Sequence, residues 1–224
     1  MALGLLLTLL LWWTIYISEG AYLGARVVRL LYDWTAGGYD RLKDFDRVDD
    51  LAFLANPLLY RLEETVGAQA SVLDVATGTG RLPAALLDLP FFEGRVVGID
   101  AAPRMLAIAA AKLRPWIDSG RLTLLEQLAA PLPFEDAAFD AVCSLEALEF
   151  LPDREAALRE MLRVLRPGGW LLVSNRIGWE ARLMPGRTEP TPNFERRLAR
   201  LGFVDPETRP WQTYYDLVWA RKPG

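Results

Sequence analysis

Ser71-Val-Leu-Asp-Val-Ala-Thr-Gly-Thr-Gly80 is the stretch on which the reading of this chain turns. Its first part, SVLDVA (71–76), is a short apolar run of the kind that forms a buried strand. Its second part places Gly78 and Gly80 in a turn ahead of an apolar-periodic helix predicted over about 81–89. Two glycines there put no side chain between the backbone and a bulky ligand. A tight turn without a ligand uses the same residues, so the loop needs support from elsewhere. Asp74 stands just before it, where a carboxylate either accepts from a cationic ammonium group or orders the loop through its amides.

Support comes from the segments that follow. A second strand is predicted over 95–99, and Asp100 ends it twenty residues after Gly80. A carboxylate in that place can take hydrogen bonds from both ribose hydroxyls of a nucleoside. Capping the helix that begins at Pro103 is its other possible use. That helix is predicted over 103–116, with the proline in its first turn. Further strands are predicted over 121–125, 139–144 and 170–174, and a strongly amphipathic helix over 153–165 stops at Pro167-Gly168-Gly169. A helix over 192–201 and two closing strands, 203–208 and 213–220, complete the pattern. Strand and helix in alternation predict an α/β fold: a doubly wound, mostly parallel, seven-stranded sheet with helices on both faces. Ligands on such sheets bind beyond the carboxyl ends of the strands, where the strand order reverses.

Composition narrows the chemistry. The 224 residues fit one domain with a well-sized core. The 25 basic and 29 acidic residues give a net charge of −4, so there is no global reason to expect nucleic acid as a partner. There is no histidine and a single cysteine, Cys143. An internal disulfide is therefore impossible, zinc is disfavoured, and no metal is expected. The same absence removes serine-histidine-acid hydrolysis and most chemistry that needs an imidazole base.

Residues 2–18 (ALGLLLTLLLWWTIYIS) carry no charge and would make about 25 Å of helix, at the short edge of a bilayer span. A signal peptide would want a basic start, which MALG lacks. A helix packed on the domain would need a large apolar seat for Trp12, Trp13 and Tyr16. The reading preferred on sequence is a single membrane anchor, with those aromatics at the interface, Arg26 and Arg29 beyond it, and the chain on the cytoplasmic face; a cytoplasmic protein without an anchor is the alternative. The segment 21–34 then lies along a membrane surface or caps the domain as an ordinary amphipathic helix.

Taken together, these residues resemble the class I methyltransferases that use S-adenosylmethionine. The Asp74–Gly80 loop is similar to their first motif, and Val97-Gly-Ile-Asp-Ala-Ala-Pro-Arg-Met-Leu106 resembles the second. The segments 131–142 and 165–170 resemble the approach to the fourth strand and the turn before the fifth. The resemblance implies a Rossmann-like methyltransferase domain over 66–224, after an apolar helix over 1–19 and a helical cap over 20–65. It implies S-adenosylmethionine as cofactor, with Asp74, Ala76, Gly78 and Gly80 around the methionine part, Asp100 on the ribose, and Ala101 or Met105, with the backbone near Ala129, beside adenine. Within the superfamily the likeness is to the ubiquinone and menaquinone biosynthesis methyltransferases, whose N-terminal Tyr-Asp pair is matched by Tyr39-Asp40 and less well by Tyr32-Asp33. Tyr39 is then a pocket residue, although a phenol of this kind also suits a core or surface position.

Two departures bear on the acceptor. Leu128 stands where the family usually has an acidic residue for the adenine amino group, which leaves adenine to backbone groups near Ala129 and apolar contact. Glu146-Ala-Leu-Glu149 stands where many quinone-directed relatives place histidines. With Tyr39, Glu146 and Glu149 are the candidate catalytic residues: either could remove a proton or attract a cationic amine, or both are ordinary solvated carboxylates. The loop 175–191, with Trp179, Met184 and Pro185, is a candidate acceptor lid, and its Arg182 and Arg187 could meet a phosphate or face water. The expected reaction is methyl transfer by direct displacement to a small or lipophilic acceptor such as a prenylated quinol precursor. A phospholipid or other amine is the nearest alternative, followed by a non-catalytic cofactor-binding or scaffold protein of the same fold. A nicotinamide-dependent oxidoreductase fits less well, because Asp74 precedes the glycines and the usual third glycine is lacking.

Overall fold

The computed structural model describes residues 1–43 and 45–224. In chain order the elements are helices α1 (Ala2–Trp12), α2 (Ala25–Thr35), α3 (Tyr39–Lys43), α4 (Arg47–Asp49) and α5 (Asn56–Thr65), then β1 (Ser71–Val75), α6 (Arg81–Leu87), β2 (Arg95–Asp100), α7 (Pro103–Lys112), α8 (Arg114–Asp118), β3 (Leu122–Glu126), β4 (Phe139–Ser144), α9 (Arg154–Val164), β5 (Leu165–Arg176), α10 (Gly178–Arg182), α11 (Thr191–Leu201), β6 (Val204–Gln212) and β7 (Tyr215–Arg221).

The strands form one seven-stranded sheet in the order β3-β2-β1-β4-β5-β7-β6. β1 to β5 run parallel, β7 is antiparallel to β5, and β6 is antiparallel to β7. The chain winds outward from β1 through β2 to β3, then crosses to β4 on the other side of β1. The crevice at that reversal is where a ligand sits on such a sheet. Alternate residues of the central strands feed opposite cores, as the two-residue period of a strand requires. Val72, Ala141, Cys143 and Leu172 pack with α5 and α6 residues such as Leu62 and Leu86. Leu73, Val142, Leu171 and Val173 pack with α9 and α11 residues such as Met161 and Leu198.

The observed elements follow the predicted pattern, with local differences. The helix expected over 103–116 breaks at Leu113 (φ −107°, ψ 21°), because Pro115 has no N–H for the Ala111 carbonyl and its ring clashes there, whereas it is suited to the first turn of the new helix α8. β5 begins at Leu165, ahead of the Pro167-Gly168-Gly169 turn, and a side chain at Gly169 would lie 2.9 Å from the carbonyl oxygens of Arg166 and Asp140. β6 reaches further than predicted, to Gln212, and β7 starts at Tyr215, so the tip of the β6–β7 hairpin borders the crevice.

The expected membrane anchor over 2–18, and with it the membrane partner and the cytoplasmic-face placement, is corrected by the structure. The apolar run is not one helix. α1 ends at Trp12 after 11 residues, roughly 16 Å, and a π-helical turn over Trp13–Ile17 follows. Gly20, in the left-handed region at φ 74°, then turns the chain. Among the described residues no helix is long and apolar enough to cross a membrane. The second half of the run is seated on protein. Ile17 and Ala21 are buried against Phe150 and Met184. The Trp13 indole donates to the Leu183 carbonyl at 2.9 Å, and the Tyr22 hydroxyl to that of Pro185 at 2.8 Å. Arg176 and Arg187 donate to the main-chain carbonyls of Ile17 and Ala21. The α1 leucines remain exposed.

Candidate functional site

Asp74 is buried near the end of β1, between β2 and β4. The chain then passes through three residues in the left-handed region, Ala76 (φ 58°), Gly78 (φ 55°) and Gly80 (φ 82°). Thr77 pins the loop at both ends: its hydroxyl donates to Asp74 Oδ2 at 2.6 Å and its amide to the Ile99 carbonyl at 2.9 Å. β2 can lie this close because position 98 is glycine, where a Cβ would come within 3.1 Å of Thr77 and 2.9 Å of Leu124. Asp100 ties the loop to the next turn, accepting from the Gly78 amide on Oδ2 and the Ala102 amide on Oδ1, both at 2.8 Å. Burial pushes the Asp74 carboxyl up to about 7, against the pull of the Thr77 hydrogen bond. Burial also raises Asp100, while the amides of Ala102 and Gly78 act the other way.

Three cavities open along the carboxyl ends of the strands. The first is lined by Asp100, Ala101 and Ala102 after β2, by Gln127, Leu128 and Ala129 after β3, by Leu145 to Ala147 and Phe150 to Pro152, and by Ala25, Val28, Arg29 and Tyr32 of α2. The second lies against the glycine loop and is lined by Asp74, Ala76, Gly78, Arg81 and Phe45 among others. The first and second share Tyr39, Ala76, Gly78, Leu145 and Glu146. The third continues past Glu146 and Arg81 to Lys43, Arg176, Glu180 and the hairpin residues Trp211 to Tyr215.

Most of the candidates from the sequence meet here. Asp74, Ala76, Gly78, Asp100, Ala101, Ala129, Tyr39 and Glu146 line the first two cavities. Gly80 packs instead against α7, where a Cβ would lie 2.7 Å from Leu113. Met105 is fully buried beside Ala36 and Ala102, behind the cavity wall. Glu149 faces away: buried, it accepts from the Tyr215 hydroxyl at 2.6 Å and lies 3.7 Å from Arg176, and burial raises its carboxyl. Leu128 lines the first cavity. The segment 175–191 does not cover the first two cavities. Met184 is buried under the N-terminal segment, and Arg187 is spent on the carbonyls of Leu151 and Ala21.

Glu146 is the residue that borders all three cavities. It sits at φ 51° and is 8% exposed, with its amide donating to Ser174 Oγ. Its carboxylate is shared by two cations, Arg81 Nη1 at 2.7 Å and Lys43 Nζ at 3.0 Å. Arg81 also pairs with Asp50 at 2.6 Å. Tyr39 is held as a neutral phenol, because burial raises it well above its ordinary range.

Sequence reasoning missed Arg81, Lys43 and Asp50, which come from three separate helical segments, and the α2 wall. Both Tyr-Asp pairs turn out to be used. Asp40 accepts from Thr79 Oγ1 at 2.5 Å and from Lys112 at 2.6 Å, locking α3 onto the glycine loop. Asp33 accepts from the Arg104 amide at 3.0 Å, which gives α7 the N-terminal cap that Ala102 cannot supply.

The residues fit a nucleoside joined to an amino acid. At Gly78 a built Cβ meets nothing within 4 Å, so the left-handed turn leaves open space beside the backbone. Each Asp100 oxygen keeps a lone pair beyond the one its amide uses, enough to accept from a vicinal diol.

Comparison with known proteins agrees with this geometry. The methyltransferase domain family matches residues 73–173. A ubiquinone/menaquinone biosynthesis C-methyltransferase UbiE from Hahella chejuensis is 37% identical over 133 residues, covering 58% of this chain and 53% of that protein. Its counterpart from Shewanella woodyi is 39% identical over 112 residues, 49% of this chain and 45% of that protein. The chain thus spans about half the length of the curated relatives it matches. Among solved structures, the [4+2]-cyclase SpnF superposes with a TM-score of 0.70 at 21% identity, over 88% of this chain and 95% of that one. A Haemonchus contortus phosphoethanolamine N-methyltransferase 2 superposes with a TM-score of 0.61 at 18% identity, over 75% and 53%. Its sheet order is that of the methyltransferase fold, its residues 73–173 match the methyltransferase domain family, and over about half of their length it is similar to the ubiquinone/menaquinone C-methyltransferases.

Proposed function

We propose that this chain transfers the methyl group of S-adenosylmethionine to a small or lipophilic acceptor. The observation that carries the reading is Asp100, whose carboxylate joins the Gly78 and Ala102 amides at the edge of a cavity running from Leu128 past the glycine loop to Glu146. In this reading Asp100 takes the ribose hydroxyls, Ala101 and Ala129 flank the adenine, and Asp74 faces the ammonium of the amino-acid part. Bound S-adenosylmethionine supplies an electrophilic methyl group on a positively charged sulfur. An electron pair of the acceptor would form the new bond to that carbon as the carbon–sulfur bond breaks with its pair staying on sulfur, and the proton the acceptor gives up would pass to solvent. The protein's task is alignment and exclusion of water, which needs no histidine. Tyr39 and Glu146 stand where the first two cavities meet, so they border the point of transfer. The Glu146 carboxylate, already held by Lys43 and Arg81, positions those cations rather than acting as a free base.

A quinol-type acceptor is the first candidate, by relation to the C-methyltransferases. An amine is the second: in the third cavity Asp46 and Asp49 stand with Trp211 and Tyr214, while Glu180 is paired with Arg176. The test is incubation of the protein with isotope-labelled S-adenosylmethionine and a small-molecule and lipid extract, followed by identification of the labelled product. A labelled product that Asp100→Ala abolishes supports methyl transfer. Tight cofactor binding with no labelled acceptor would instead mark a non-catalytic member of the fold.

A further inference from the structure

We infer that Arg81 receives the α-carboxylate of the cofactor's amino-acid part, exchanging Glu146 for it on binding. The inference rests on the cofactor reading above. The second cavity has a carboxylate, Asp74, on one side and Arg81 as the one cation among its described lining residues. An amino-acid zwitterion needs that pairing, with an acidic group for its ammonium and a guanidinium for its carboxylate.

Arg81 is prepared for the task. It opens α6 directly after Gly80, and its guanidinium carbon lies 4.3 Å from the ring centre of Phe45 and 4.7 Å from that of Trp211. One edge is fixed by Asp50, which accepts from Nε at 2.7 Å and pairs with Nη2 at 2.6 Å. With its carboxamide turned so that the oxygen faces Arg81, Gln212 accepts from both terminal nitrogens at 3.1 Å. The remaining bond runs from Nη1 to Glu146, which itself borders the cavity. Glu146 is therefore the partner a ligand carboxylate can replace. Its departure leaves no uncompensated buried charge, because Lys43 already holds the other carboxylate oxygen. Cofactor binding would thus turn Glu146 towards Lys43 and the third cavity.

The test uses calorimetry on the full chain with three probes: S-adenosylmethionine, its decarboxylated analogue, and 5′-methylthioadenosine, which lacks the whole amino-acid part. A charge-assisted guanidinium–carboxylate contact predicts that wild type prefers S-adenosylmethionine over the decarboxylated probe by roughly ten- to a hundredfold. Arg81→Met should collapse that ratio to within about twofold while 5′-methylthioadenosine binding is kept, and Arg81→Lys should retain part of it. Glu146→Gln removes the competing carboxylate and should tighten S-adenosylmethionine more than 5′-methylthioadenosine. A wild-type ratio near one overturns the assignment without variants, even if Arg81→Met does not fold. A ratio that survives Arg81→Met, or a Glu146→Gln variant that selectively weakens S-adenosylmethionine, overturns it as well. Failure of all three probes to bind wild type sinks the cofactor reading itself, whereas equal binding of all three sinks only the role of Arg81.

Discussion

Replacing Asp100 by alanine separates what this carboxylate does for a ligand from what it does for the loop. In the ligand-free chain it accepts two backbone hydrogen bonds, from Gly78 and Ala102 at 2.8 Å. Bonds to a charged acceptor are worth about 1.5–3 kcal/mol each, but burial already disfavours this carboxylate, which offsets part of the gain. A net loss of about 2 kcal/mol in stability is expected, lowering the melting temperature by roughly 4–8 °C in a chain of this size. Binding should suffer more. Two ribose hydroxyls on the remaining lone pairs would contribute roughly 3–6 kcal/mol at the same rate. The lower end is expected, since each oxygen is already sharing, and at 1.4 kcal/mol per decade that is about a hundredfold in Kd. Calorimetry with S-adenosylhomocysteine, run well below the melting temperature and beside a circular-dichroism check of folding, measures it. Asp100→Asn is a useful companion, because its NH2 group must face one of the two backbone donors. A folded Asp100→Ala variant that binds within threefold of wild type would falsify the ribose assignment.

Three other outcomes are expected. Asp74 carries a carboxyl raised to about 7 from 3.8, so the folded chain keeps a proton that the unfolded chain releases between about pH 4 and 7, and stability falls as pH rises through that window. An ammonium beside Asp74 favours the ionised form, so S-adenosylmethionine affinity should rise with pH up to about 7 and binding at pH 6 should release protons; heats independent of the buffer's ionisation enthalpy would count against the contact. Gly78→Ala adds a methyl that meets nothing within 4 Å at φ 55°, so it should cost about 1–2 kcal/mol in a urea melt yet block the cofactor. Gly80→Ala, 2.7 Å from Leu113, should show the larger stability loss and the smaller binding loss, and the reverse order would refute the placement of the loop. Deleting residues 1–12 should leave the melting curve nearly unchanged. Deleting 1–23 removes the carbonyls that Arg176 and Arg187 bond and uncovers Phe150 and Met184, and should cost more than about 3 kcal/mol; equal effects would contradict the seating of residues 13–23.

What the sequence revealed and what it concealed divide along a physical line. The link between Gly78 and Asp100 was readable because both residues sit at the ends of adjacent parallel strands, and the strand-turn-helix spacing puts them together. The apolar run at the N-terminus was not readable in the same way. Lipid and a protein core ask for the same residues, and the turn over 13–20 is held by arginines more than 150 positions downstream. The partners of Glu146 were not readable for the same reason. Read with its neighbours, it is a carboxylate free to meet an amine or take a proton, while in the fold it is neutralised by Lys43 of α3 and Arg81 of α6.

The two halves of the site therefore have different origins. The cofactor side is built from strand ends and the turns after them, where local spacing sets the geometry. In the proposed reading the acceptor side is the third cavity, where α3, α4 and the tip of the β6–β7 hairpin meet only through tertiary contacts. Substitutions that change which acceptor is methylated should accordingly fall at Lys43, Asp46, Asp49 and residues 211–215, with cofactor affinity largely preserved. Substitutions in 74–80 and at 100 should weaken the cofactor for every acceptor alike. Lys43 and Trp211 belong to the first group by position, whereas Arg81 borders both the second and third cavities and should move both properties together.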